Sequence, residues 1–184
     1  MATNQIKMEQ NPPQKTPKTL VLIQISLRFL AFAAAAAAAL VMAMNKETTT
    51  VYGITVDAKY SYSPAFRFFV VGNAVASAYA LLSIPFVIIL CSKASSPSGY
   101  FFLFLFDQLV MLLVVAAASA ATAVGYVGKK GNSHAGWAPI CGYFEKYCDK
   151  AGGSLFCSFV ALIVYLLLTV VSATKAREVP VSRY

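Results

Sequence analysis

Residues 100–126 read YFFLFLFDQLVMLLVVAAASAATAVGY. The stretch is long enough to cross the roughly 30 Å hydrocarbon core of a bilayer as one helix, and its single charge is Asp107. Three further runs of the same kind lie at 20–44, 68–91 and 154–174, and the only charge among them is Arg28. The remaining charges crowd into the segments between the runs. Overall 59% of the chain is hydrophobic and 12% charged, against about 25% charged in an ordinary soluble domain. A soluble fold of 184 residues cannot hide four such runs, so a soluble enzyme, a secreted disulfide scaffold and a disordered tail protein are excluded. The expected fold class is all-α, an integral membrane four-helix bundle.

The layout follows from the runs. Residues 1–19 are polar and proline-rich and read as a disordered tail. The first apolar run is too long for the core of a cleaved signal peptide and reads as a retained anchor. Loops at 45–67 and 127–153 separate spans one from two and three from four. Ser92–Gly99 is a short turn of Ser, Pro and Gly, and residues 175–184 form a second tail. Four spans put both termini on one side. The basic residues of the two sides balance at seven each, and Arg28, near the tail end of its span, tips the count toward cytosolic termini. Cys141 and Cys148 favour the same orientation, because a cysteine pair in a polar loop suits the oxidising side. On one straight helix these two would lie about 10 Å apart. Joining them as the expected disulfide requires a turn between them, where Gly142 can help.

Arg28 and Asp107 are the most informative residues. Each lies seven or eight residues inside its span on the tail side, some 10–12 Å deep at about 1.5 Å per residue. An unpaired charge at that depth is costly, so the two are expected to form a bidentate ion pair, with Gln24 and Gln108 meeting what remains. Gly72, Ala76 and Ala80 recur every fourth residue and form a small-residue ridge suited to close helix packing. Asn73 is expected to bond across helices or to a carbonyl, and Pro85 to kink the second span. Leu162, Ile163, Val164, Leu166, Leu167 and Leu168 read as a lipid-facing surface. Cys91, at the span border, is a candidate for acylation.

Catalytic and cofactor motifs are missing. There is no G-x-S-x-G, no H-E-x-x-H and no phosphate loop, and one histidine, His134, in a Gly/Ser loop. The cysteine spacing fits neither a metal nor a redox site, so neither cofactor nor metal is expected. The net charge of +8 is scattered over the loops rather than gathered on one face, so nucleic acid is not an expected partner; membrane lipid is.

Four features together resemble the Casparian strip membrane domain protein-like (CASP-like) proteins of plants. They are Arg28 in the first span, Asp107 in the third, the Phe66-Arg67-Phe68-Phe69-Val70-Val71-Gly72-Asn73-Ala74 entry to the second, continuing to Tyr79 and Ser83-Ile84-Pro85-Phe86, and the pattern Trp137…Cys141…Phe144…Cys148 in the second loop. The resemblance implies a MARVEL-like four-helix protein of the plasma membrane with cytosolic termini. It implies association as a homodimer or higher homo-oligomer and with related four-span proteins. It also implies a membrane platform that recruits secreted cell-wall enzymes, with Trp137 and Phe144 as candidate recruitment contacts. The first loop, Asn45–Arg67, lacks the stretch characteristic of the strip-forming members, which points to a CASP-like relative. The competing reading is a small channel or transporter component with Arg28 and Asp107 lining a polar path.

Overall fold

The computed structural model describes residues 18–51, 53–92 and 97–178. Within them lie four long helices: α1 (Lys18–Ala43), α2 (Pro64–Ser92), α3 (Pro97–Lys130) and α4 (Glu145–Glu178). Each is long and apolar enough to cross a membrane, so the chain is a multi-pass membrane protein. α1 packs against α2 and α4, and α3 packs against the same two. The helices therefore run around the bundle in chain order, with α1 and α3 on the diagonal.

The helices outrun the apolar stretches. α3 and α4 have 34 residues each, where about 20 suffice to span. Hydropathy marks where apolar side chains stop, whereas a helix continues through polar turns that still form its hydrogen bonds. α4 accordingly begins at Glu145 rather than near residue 154, and Lys18 and Thr19, expected in the tail, already belong to α1. Pro64 and Pro97 open α2 and α3, a position where the missing N–H costs nothing. α3 ends at Lys130 and is closed by Gly131, whose φ of +69° lets its N–H reach the Val127 carbonyl at 2.7 Å. The remaining tail residues, 1–17 and 179–184, lie outside the described residues, as do 93–96 of the short turn and the side chain of Cys91.

The first loop carries a hairpin that the sequence reading did not anticipate. β1 (Lys46–Val51) pairs antiparallel with β2 (Ile54–Lys59), with Thr49 opposite Val56 and a turn at Gly53, φ +79°. The signal was there: β-branched residues in two runs separated by two residues, one a glycine. Lys59 bonds Asp57 and, helped by Tyr62, holds its carboxyl below the usual carboxylate value, while Asp57 raises Lys59. On so exposed a surface the contribution to stability is slight. It is present above the ordinary carboxylate pKa and fades as the pH falls through the lowered one. The hairpin also reaches the bundle. The Glu47 carboxylate accepts the N–H of Tyr147 at 2.7 Å, and Asn45 donates to the Tyr147 carbonyl at 2.8 Å. A carboxylate thus meets the unpaired N–H groups and positive dipole end of α4.

Small residues line the interior. Ala31, Ala35, Ala76, Ala80 and Ala161 are fully buried in the central layer around Val114, Tyr165 and Leu168. Toward the hairpin, Ala38, Met42, Phe69, Ala118 and Ala121 pack with Phe66, Phe144 and Tyr147. At the opposite end Val87, Leu90, Tyr100 and Leu103 close the α2–α3 contact. Val164 and Leu168, expected to face lipid, are buried here, while Ile163, Leu166 and Leu167 are exposed. A run of bulky residues on a helix must share itself between both faces, since only every third or fourth points outward. Asn73 does both things foreseen for it: it donates to the Phe69 carbonyl and accepts from Ser158 of α4 at 2.9 Å.

At Gly72, α2 and α3 approach closely: an added Cβ would sit 2.9 Å from the Cβ of Ala117. Both atoms are fixed to helix backbones, so only separation of α2 and α3 relieves the clash. Gly72→Ala is expected to destabilise the bundle by about 1–3 kcal/mol, read as a lower thermal midpoint in detergent. Adding Ala117→Gly should restore most of the loss. A Gly72→Ala variant that melts with the parent would refute the close approach.

Candidate functional site

The site is a polar layer in the half of the bundle away from the hairpin, and all four helices contribute to it. Arg28 leaves α1 and crosses the diagonal to α3, where Nη2 donates to Asp107 Oδ2 at 3.0 Å. Both side chains are 0% accessible. The pair is single-stranded rather than bidentate, because the other terminal nitrogen, Nη1, turns to Ser83 Oγ on α2. Ser83 passes the chain on by donating to the Ala80 carbonyl at 2.9 Å. Asp107 completes its shell with two hydroxyls. The Tyr79 hydroxyl of α2 donates to Oδ1 at 2.7 Å, and Ser172 Oγ of α4 donates to Oδ2 at 2.9 Å. The guanidinium also lies 5.8 Å from the centre of the Tyr79 ring, within cation–π range.

The sequence placed the charges and misassigned their helpers. Gln24 and Gln108 do not bond Asp107. Gln24 is buried, and its Nε2 and the Arg28 Nε find no protein acceptor. The true partners, Tyr79, Ser83 and Ser172, are hydroxyls on the two helices that flank the diagonal. A serine in an apolar span draws no notice because it can bond its own preceding carbonyl, and Tyr79 and Ser83 stood only within the second-span stretch of the resemblance, with no role given to them. What could have found them is depth: a site between α1 and α3 must be closed by α2 and α4.

The arrangement neutralises the two charges against each other and fixes their orientation with hydroxyls from α2 and α4. Among the described residues no group of three or more His, Cys, Asp and Glu is placed to hold a metal ion.

The other predicted residues lie elsewhere. Gly72, Ala76 and Ala80 are buried against neighbouring helices, so their ridge faces the bundle interior. Cys141 and Cys148 are joined, with Cα atoms 5.7 Å apart. Cys148 belongs to the first turn of α4 and Cys141 to the turn before it, so the bridge pins the α3–α4 loop to the start of α4. Phe144, expected to reach a partner, is 7% exposed and packs in the layer of Phe66 and Tyr147, whose own rings meet edge to face at 6.3 Å. Its position just before the first turn of α4 turns it inward. Trp137 is 61% exposed. Among the described residues, Cys157 is a free thiol.

Two expectations follow. Asp107→Asn and Arg28→Gln should each destabilise the bundle by about 3–5 kcal/mol, because each strands a buried charge. Replacing both with apolar residues of similar volume should cost much less. Single variants that reach the cell surface and melt like the parent would show the layer to be dispensable. Peptide mapping without reductant should recover Cys141 linked to Cys148. Alkylation of both as free thiols would contradict the bridge.

Compared with known proteins, residues 17–164 match the family model described as Casparian strip membrane protein domain. CASP-like protein 1F1 of Vitis vinifera is 46% identical over 181 residues, covering 98% of this chain and 88% of that protein. CASP-like protein 1F1 of Populus trichocarpa is 42% identical over 97% of this chain and 98% of its own. That of Arabidopsis thaliana is 42% identical over 93% and 99%. No solved structure matches the chain.

Proposed function

We propose, starting from the fact that this chain belongs to the Casparian strip membrane protein domain family, that it is a non-enzymatic scaffold of the plasma membrane. It associates laterally with copies of itself and with related four-span proteins, and it organises a platform on which secreted enzymes modify the adjacent cell wall. Both termini face the cytosol, and the hairpin and the disulfide-bearing loop face outward.

The observation that carries this reading is the closure of the polar layer. Arg28 and Asp107 find their partners within one chain and are inaccessible. A polar conduit needs such groups in contact with water, so the geometry favours a lock over a path. With the polar bonding turned inward, the outer faces are left to rows of apolar side chains such as Leu22, Phe29, Phe102, Phe106 and Ile163. Contacts between neighbouring molecules are then made by dispersion and close packing in the lipid. The oxidising environment that a lasting disulfide requires supports the outward placement of the loops.

Photobleaching of a fluorescent fusion should show slow, incomplete recovery within patches, and crosslinking in native membranes should capture copies of this chain and its relatives. Rapid uniform recovery with no crosslinked species would rule the platform out. Gln108→Cys, beside Asp107, should resist water-soluble thiol reagents; prompt labelling would return the conduit reading.

A further inference from the structure

A second feature lies at the hairpin end of the bundle, on the outside of α3. Residues 131–144 do not stand away from the membrane but fold back along the helix they follow. The N–H groups of Ile140 and Cys141 both donate to the Gly128 carbonyl, at 2.9 and 3.2 Å. Asn132 and Trp137 exchange backbone hydrogen bonds at 2.8 and 2.9 Å. The turn between them is close enough that a Cβ on Gly131 would lie 2.6 Å from the Trp137 carbonyl oxygen. The disulfide holds the far end. Trp137 is therefore presented by a built loop.

Between this loop and α3 runs a groove of about 490 Å³, within the range of small-ligand sites. Ala123, Val124 and Val127 form its helix wall, and Trp137, Ala138 and Ile140 its loop wall. Its depth is set by α3. The helix wall lies three to seven residues before Lys130, about 5–10 Å toward the middle of the span. The position of a Cβ on Gly125, at the same level, is 3.8 Å from Leu155, which lies in the apolar part of α4. The groove is thus below the charged rim and level with lipid. The rim is cationic: Lys129 and Lys130 are exposed at the last turn of α3. No acidic residue occurs from 127 to 144; the first beyond is Glu145.

We infer that this groove seats one acyl chain of an anionic phospholipid from the leaflet on the hairpin side, with the lipid phosphate against Lys129 and Lys130. Apolar walls at acyl depth match the chain, an amphipathic indole suits the boundary, and two lysines in a stretch without an acidic residue select negative charge. The inference rests on the chain spanning a membrane and is independent of the scaffold reading.

Trp137 is the single tryptophan, so its fluorescence reports this place alone. The full chain would be reconstituted in phosphatidylcholine vesicles containing increasing fractions of dibrominated phosphatidylglycerol or, separately, dibrominated phosphatidylcholine. Emission should be blue-shifted, and phosphatidylglycerol should reach half-maximal quenching at a mole fraction at least fivefold lower than phosphatidylcholine. Lys129→Gln with Lys130→Gln should bring the two curves together, and Ala123→Leu, which fills the groove, should abolish the steep component. Three results on the unmodified chain would overturn the inference. Coincident curves would mean bulk lipid only. Red-shifted emission quenched by aqueous iodide would place the indole in water. Emission that ignores brominated lipid and follows protein density would assign the groove to a second copy.

Discussion

A guanidinium carried across the bundle diagonal to a carboxylate sets the terms for the rest of the molecule. α1 and α3 do not lie side by side, so the hydrophobic packing that joins neighbours cannot fix their relative height. The Arg28–Asp107 bond does. An ionic contact in a dry interior is expensive to form and more expensive to leave half-formed. Any sliding or rotation that separates the charges is therefore penalised more steeply than a slip between apolar faces. The hydroxyls of Tyr79, Ser83 and Ser172 extend the constraint to α2 and α4, so one layer determines the register of all four helices.

That layer needs the helices close together, which explains the composition of the rest of the core. Gly72 against Ala117 and the buried alanines of α1, α2 and α4 bring backbones near enough for short hydroxyls to reach across. Ser154 donates to the Ala38 carbonyl, and Tyr165 to that of Ala76. The first bonds the backbone of the neighbouring α1, and the second crosses the other diagonal, from α4 to α2. At the hairpin end the constraint is of another kind. There Glu47 caps α4 from β1, and the disulfide ties the α3–α4 loop to the same turn. Both devices act on the start of α4, the helix that continues past the membrane and would otherwise fray.

The sequence made legible whatever depends on composition along one helix. Four apolar runs gave the spans, and the solitary charges at matching depth gave a reason to pair Arg28 with Asp107. What it withheld depends on arrangement around the bundle. Nothing in the order of residues says that α1 faces α3 across a diagonal, so the further partners of the pair were sought on the wrong helices, at Gln24 and Gln108. The start of α4 was missed because Glu145–Lys150 is polar yet helical, and with it the burial of Phe144. The hairpin was legible in Thr48–Thr50, Gly53 and Thr55–Val56, but a chain read for spans passes over it.

The division between the two ends bears on how such a protein can meet others. Polar side chains can join helices in a membrane interior, and here the Arg28–Asp107 bond and its three hydroxyl partners lie within the chain. Under the scaffold proposal a lateral partner would meet apolar faces, whose contacts are individually weak and tolerant of sequence. Specificity then has to come from where the chain leaves the hydrocarbon. The hairpin end is the part best built for it: β1 and β2 project from the bundle, Trp137 and the lysines of α3 stand at the border, and both segments are anchored to α4. Disruption of the ion pair and disruption of this end should therefore be separable. The first would loosen the bundle as a whole, and the second would act on the hairpin end while the bundle still stands.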